Sequence, residues 1–551
     1  MALTRVKQMY ASCVRYDYDF IVIGSGFGGS VAALRLSEKG YRVAVLEMGR
    51  RWSAESLPHT NWALHRWLFA PWLGLNGFFA MRLFRHVMVL HGNAVGGGSI
   101  TYANTLLVPP DSVWDQGTWA GLEDWRAVMP QHFATARRML GVTTNRILGP
   151  ADHRLKAIAA SVGAAHTFYP TEVGVFFGRP DDPPGTEYPD PYFGGAGPAR
   201  RSCIGCGGCM IGCRYDAKNT LDRNYLFLAE RAGVEVHAES RVVDVKPLGA
   251  ADGADGYAVT SVRTGSWLGL GGRRRTCRGV VFAASSLGTQ DLLFRLRDRG
   301  SLPHVSAALG RDVRTNAESL IGIRYPGGED LSTGIAIGSG IYLDQYTHIE
   351  ATRYPRGSDA MGFLLTVLTR GRPGWTRIVT WLVTLTKLLL TRPLVTLRTL
   401  LPFGFAKETL ILLCMQTVEG RLTMRLSRPW WWPFRKTLRT DGARVPTYIP
   451  AANELVIKGA AATGGVPGTS IVEVLLNIPM TAHCMGGAVM ARTPTFGVCD
   501  SKSRVFGYHN MYVCDGSMLG ANLGVNPSLT ITALAEHAMS HVPPASAGAR
   551  S

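Results

Sequence analysis

The stretch Asp19-Phe-Ile-Val-Ile-Gly-Ser-Gly-Phe-Gly-Gly-Ser30 decides the fold. A run of strand-forming apolar residues feeds into Gly24, Gly26 and Gly29, the G-x-G-x-x-G spacing. A helix-like SVAALRLSEKG follows, then a strand-like YRVAVLEMG that carries Glu47. In such a unit the first glycine makes the tight turn. The second lets the backbone approach a pyrophosphate, and the third lets helix and strand pack closely. The helix N-terminus faces the phosphates. Glu47, about 20 residues on, is spaced to bond ribose hydroxyls. Strand, turn, helix, strand and acid agree, so the unit predicts a dinucleotide site rather than a bare glycine turn.

Working outward, His91-Gly-Asn-Ala-Val-Gly-Gly-Gly-Ser99 is a second glycine cluster that can cradle phosphate or pass against a flat ring. Further strand-like stretches, VEVHAESRVVDVKP and RGVVFAASSLGTQDLL, return to the same lobe. The C-terminal RVFGYHNMYVCDGSMLGANLGVNPSLTITALAEHAM reads as strand, Gly/Asn-rich loop and helix. The predicted architecture is α/β: a Rossmann-like lobe assembled from residues 15–110, 200–320 and 475–545. A substrate lobe is expected from residues 111–199 and 321–474. No internal repeat is visible.

The 551 residues are long enough for two such lobes, and 46% hydrophobic with 18% charged residues excludes a disordered chain. Net charge is +18. The one dense basic run, GGRRRTCRG at Arg273–Arg275, reads as a solvated loop. Other basic residues flank apolar segments, which points to an anionic lipid surface and away from nucleic acid. Two segments carry this reading, 62–90 and 375–435. In Trp375–Phe405, Arg377, Lys387, Arg392 and Arg398 punctuate a greasy run that Pro393 breaks, so it is too interrupted to span a bilayer. Helices lying in the interface, with the basic residues at the polar rim, fit best. Trp430–Trp432 would suit the same interface. The alternative is a pair of buried core helices. The N-terminus lacks a signal-peptide core, which predicts a cytoplasmic protein on the inner face of the membrane.

Cys203-Ile-Gly-Cys-Gly-Gly-Cys-Met-Ile-Gly-Cys213 sets Cys203, Cys206, Cys209 and Cys213 at C-x2-C-x2-C-x3-C spacing, that of a bacterial ferredoxin run. Arg214 stands where that run has proline, and no second run exists. An iron–sulfur cluster, a tetrahedral zinc and reduced structural thiols remain open, in that order of preference between the metals.

With both ends read, the chain resembles the glucose–methanol–choline (GMC) oxidoreductases, in the branch of bacterial cholesterol oxidases. The motifs are DFIVIGSGFGGSVAALRLSEKGYRVAVLEMG, GNAVGGGSITYAN, TAHCMGGAVM and MYVCDGSMLGANLGVNPSLTITALAEHAM, in family order. The resemblance implies a non-covalent FAD lobe and a substrate lobe built on an antiparallel sheet with helices. It implies that Gly24, Gly26, Gly29 and Glu47 hold the ADP half. It puts Gly97, Gly98 and Ser99 near pyrophosphate and flavin, and Val242 at the adenine. Asp515 and Gly516 would close the flavin site. FAD would take hydride from an alcohol carbon. His483 would position the hydroxyl and take or share its proton, and Asn526 would bond near it; locally, Asn526 also reads as a cap of the last helix. Glu350 would be the base that moves a double bond in a 3-keto-5-ene product. Its alternative reading is a surface acid paired with Arg353. A sterol drawn from a bilayer is the expected substrate, with O2 or another electron acceptor. The alternatives are a long-chain alcohol dehydrogenase and a non-catalytic flavin or iron–sulfur electron carrier.

Overall fold

The computed structural model describes residues 16–546, except 267–270, 371–373, 419, 430–433, 443–444 and 446. Trp430–Trp432 therefore lie outside the described residues.

Two seven-stranded sheets organise the chain. The first grows from Tyr18–Ile23, whose YDFIVI is buried along almost its whole length, as an internal strand of a parallel sheet must be. It pairs in parallel with Val43–Leu46 on one side and Arg273–Phe282 on the other. Val22 thus lies between Val45 and Val281. Glu235–His237 adds beyond Val43–Leu46. Strand Arg273–Phe282 is shared. Its first half pairs antiparallel with Tyr257–Arg263, its last residues parallel with Met511–Val513. Strand Arg273–Phe282 thereby stands between the first strand of the chain and the last. Arg273–Arg275, expected in a loop, begin this strand instead. Their neighbours on Tyr257–Arg263 supply the ladder bonds, and the strand's outer end stays solvated.

The second sheet is antiparallel throughout, in the order 365–367, 466–470, 319–324, 409–416, 347–352, 337–342, 169–170. Helices Pro150–Ala160 and Pro450–Thr463 bury Leu155, Ile158, Leu455 and Val456 against its one face. The opposite face looks toward the glycine-rich lobe. Strand Thr347–Thr352 lies well inside this sheet and is buried at every residue. A short parallel pairing, Met480 with Met88 and Thr481 with Val89, ties the segment before His483 to the strand that leads into the second glycine cluster.

Helices Trp375–Thr391 and Pro393–Leu400 lie on the surface in an inverted sense. Leu390 and Leu394 are 80% and 82% exposed, and Trp375, Val383, Leu397 and Phe403 are exposed as well. The protein-facing side is the polar one. Arg377 is buried and donates to Thr447 Oγ1 at 3.1 Å and to the Glu473 carbonyl at 3.4 Å. Trp381 Nε1 donates to Thr366 Oγ1 at 2.9 Å. Arg377 is thus an anchor and not part of a rim. Lys387, Arg392 and Arg398 do lie exposed, and Arg398 also pairs with Glu408. Among the described residues, no helix is long and apolar enough to cross a membrane. At one end of this surface Trp62, from the other apolar segment, packs on Phe363 and Phe403 at centroid distances of 5.9 and 6.2 Å.

Candidate active site

The three glycines of the first motif occupy three different environments. Gly24 has φ +100°, and a Cβ there would lie 2.3 Å from the Ala283 carbonyl oxygen. A Cβ on Gly29 would meet the Gly24 carbonyl oxygen at 2.2 Å. Both are closed by the protein itself, as turn and packing glycines should be. Gly26 is different: nothing lies within 4 Å of its Cβ position, and the same holds for Gly98. Gly97, φ +53°, presses against Gly26, with its Cβ position 2.5 Å from the Gly26 Cα. The two glycine clusters therefore form one cradle, with open space at Gly26 and Gly98, at the N-terminus of helix Phe27–Glu38. A dinucleotide fits that cradle.

Glu47 sits at the tip of Val43–Leu46, buried, and accepts from Ser25 N–H at 3.0 Å, Ser25 Oγ at 2.7 Å and Gly49 N–H at 2.7 Å. Burial raises its pKa, and these bonds, with one from the Met48 N–H, oppose that. The carboxylate is thereby fixed at the end of the cradle, where a ribose would lie. Strand Ser240–Pro247 starts with Ser240 N–H bonded to the Glu47 carbonyl at 2.8 Å, which brings Val242 to that end of the cradle. Ser99 is buried, and its hydroxyl is committed internally. It donates to the Gly96 carbonyl at 2.6 Å and accepts from Leu221 N–H at 3.0 Å. Asp515 accepts from Ser517 N–H, Ser517 Oγ and Thr289 Oγ1 at 2.8, 2.5 and 2.5 Å. The Gly516 carbonyl accepts Gly486 N–H at 2.8 Å, which joins this turn to the loop of His483.

His483 and Asn526 come from different loops, and each is partnered by a buried carboxylate. His483 Nδ1 bonds Glu318 Oε1, and Glu318 Oε2 accepts Ala482 N–H at 3.0 Å. Burial alone would lower the imidazole pKa. The Glu318 charge and hydrogen bond, and then Glu350, outweigh it and hold His483 above the ordinary value. With Nδ1 engaged, Nε2 is the atom left for a substrate hydroxyl. Asn526 Nδ2 donates to Glu350 Oε2 at 3.2 Å. Helix Ser528–Ser540 receives no side-chain cap, so the capping role read for Asn526 is corrected: its amide reaches across to the second sheet instead. Glu350 is fully buried, while Arg353 pairs with Asp152 at 2.7 Å, so the surface-pair reading of Glu350 is corrected as well. Burial pushes Glu350 up to about 7, against the lowering effects of Asn526 and His483. Glu350 Oε1 and Asn526 Oδ1 are buried without a hydrogen-bond partner in the protein, which suits a site that receives polar groups from outside.

Glu318 is the candidate site residue that sequence reasoning missed. It precedes strand Ser319–Arg324 in a turn where Asn316 and Ala317 both have positive φ, +41° and +44°. A left-handed alanine is strained backbone held by its surroundings. Asn316 Nδ2 donates to the Val525 carbonyl at 2.9 Å, so the same turn also steadies the residue before Asn526.

Cys203, Cys206, Cys209 and Cys213 are all free thiols around one small cavity. No three of them, nor any other three His, Cys, Asp or Glu side chains among the described residues, are arranged to hold a single metal ion. A tetrahedral zinc, with sulfur at about 2.3 Å, needs such convergence.

Comparison with known proteins gives the family. Residues 461–535 match the family described as GMC oxidoreductase, and residues 22–67 match the NAD(P)-binding Rossmann-like domain. The chain is 58% identical to a cholesterol oxidase of Acinetobacter baumannii, over 96% of this chain and 95% of that one. It is 46% identical to a cholesterol oxidase of Mycobacterium tuberculosis, over 95% of this chain and 91% of that one. Among solved structures, pyridoxine 4-oxidase from Mesorbium loti matches with TM-score 0.59 at 15% identity, covering 95% of this chain and 98% of that one, a likeness of fold. The chain belongs to the GMC oxidoreductase family, in the branch that holds these cholesterol oxidases.

Proposed function

We propose that the enzyme oxidises the 3β-hydroxyl of a sterol to the ketone, and that Glu350 then shifts the 5-ene to the conjugated 4-ene. The observation that carries this reading is the pairing of each candidate acid–base residue with its own buried partner, His483 with Glu318 and Glu350 with Asn526. FAD, the cofactor of the family, supplies the hydride acceptor. The chain's own residues handle protons. Glu318 fixes the His483 tautomer and raises its basicity, so Nε2 accepts the hydroxyl proton as hydride leaves carbon. Glu350, poised near neutrality, takes a proton from the carbon between ketone and alkene and returns it at the far end of the double bond.

Substrate access rests on the exposed apolar helices 375–391 and 393–400. Their leucines would enter the acyl boundary, with Lys387 and Arg392 at headgroup level. The net charge of +18 favours an anionic leaflet, as on the cytoplasmic face of a cell membrane. Anaerobic mixing of the purified protein with cholesterol and, separately, with a long-chain alcohol tests the reading. Cholesterol should bleach the flavin fast. Bleaching by the fatty alcohol alone would move the assignment to the long-chain alternative.

A further inference from the structure

We propose that Cys203, Cys206, Cys209 and Cys213 hold a polynuclear iron–sulfur cluster beside the flavin cradle. The four cysteines, with Val175 and Lys218, line one almost wholly apolar-walled cavity. The cavity is small and opens to solvent on one side. All four thiols line this one space, and no three of them are placed to hold a single ion. Four cysteines at C-x2-C-x2-C-x3-C spacing around one cavity suit a cluster, whose iron–sulfide core is bound by four thiolates. Gly205, Gly207 and Gly212 all have positive φ and wrap the loop around the cavity. A Cβ on Gly207 would lie 2.3 Å from the Ser332 carbonyl oxygen, so the turn admits only glycine. Gly205 N–H points at Cys203 Sγ, 3.4 Å away.

Charge supplies the independent observation. Lys218 and Arg200 are both about 1% exposed. Lys218 Nζ bonds the carbonyls of Ile100 and Cys209, at 2.9 and 2.7 Å. Arg200 bonds the Lys218 carbonyl at 3.2 Å and the Asn219 side chain, and its Nε and Nη1 have no partner. Among the described residues neither forms an ion pair with a carboxylate. Asp222 is the one carboxylate whose charge reaches both, and two buried cations that share a single distant carboxylate are unfavourable. A cluster bound by four thiolates is a net anion and would balance them. Ile100 ends the turn Gly97–Ile100 of the flavin cradle, so Lys218 bridges the cradle and the cysteine loop directly.

Such a cluster gives the enzyme a second electron exit. Oxidising one alcohol to a ketone releases two electrons and two protons. A one-electron cluster would pass the electrons in two steps to two molecules of a ferric acceptor at the surface, with the protons going to water. The relay rests on the proposed alcohol oxidation; the binding claim does not. The test is anaerobic purification of the full chain followed by anaerobic reconstitution with iron and sulfide. About four irons and four acid-labile sulfides per FAD are expected, with a paramagnetic signal on reduction. Cys206→Ser should lose the iron and keep FAD at one per chain. Lys218→Met should keep the iron and lower the reduction potential, because a buried positive charge favours the reduced cluster. FAD-replete wild-type protein with less than a tenth of an iron per chain, or with zinc instead, overturns the proposal. So does Cys206→Ser protein with undiminished iron.

Discussion

Glu350 Oε2 accepts the Asn526 amide across 3.2 Å, joining the inner strand of the second sheet to the loop before the last helix. In the proposed reaction the bond sets both residues at one centre. It also lowers the Glu350 pKa against the larger upward push of burial. Removing Asn526 should therefore raise that pKa further. Glu350 must be ionised to take a carbon proton, so isomerisation falls as pH drops through about 7 in the wild type. In Asn526→Ala that fall should begin at higher pH. Product analysis by ultraviolet absorbance of the conjugated enone, across pH, checks it; an unmoved limb counts against the pairing.

His483→Ala should keep its flavin and lose about 10²–10⁴-fold in the rate of flavin reduction by sterol, the usual worth of a positioned base. Stopped-flow bleaching under anaerobic conditions measures this directly. A rate within a few-fold of wild type would remove His483 from the chemistry.

Glu318→Gln tests the positioning role. The carboxylate holds the imidazole pKa up, and the base must be unprotonated to work. Its loss lowers that pKa, so the acid limb of kcat/KM for oxidation should move to lower pH while the maximum rate falls. A purely structural defect would lower the rate without moving the limb.

Gly26→Ala separates cofactor contact from folding. The protein leaves open space there, so the thermal midpoint of the FAD-free variant should match the wild type, while FAD affinity falls at least tenfold. Gly29→Ala, whose Cβ would meet backbone at 2.2 Å, should lower both. Equal FAD affinity in Gly26→Ala would contradict the cradle.

Leu390→Glu with Leu394→Glu should cut binding to anionic vesicles more than tenfold, since each buried leucine contributes about 1.5–3 kcal/mol. Turnover of detergent-dispersed sterol should be unchanged. Sedimentation with vesicles reads the first effect, and undiminished binding would rule out this face.

Much of this site is legible in the sequence because its parts are local. Gly24, Gly26 and Gly29 carry their meaning within one turn, and His483 and Asn526 stand in motifs. Glu318 is 165 residues from His483 and has no motif of its own; only the folded sheet brings the two together. Arg377 looks like one more basic residue on a greasy helix. Its burial depends on Thr447 and the Glu473 carbonyl, which no helical periodicity reveals. The Asn526 amide had a local use, capping the next helix, and a distant one; the distant carboxylate won.

The most direct test of this division of labour is the product of Glu350→Gln. Glutamine keeps the shape and can still hydrogen-bond Asn526, but it cannot accept a carbon proton. Flavin reduction by cholesterol should stay within about tenfold of wild type, while the product accumulates as the unconjugated 5-ene-3-one, its isomerisation slowed by about 10²–10⁴. Conjugated 4-ene-3-one released at the wild-type rate would contradict the account.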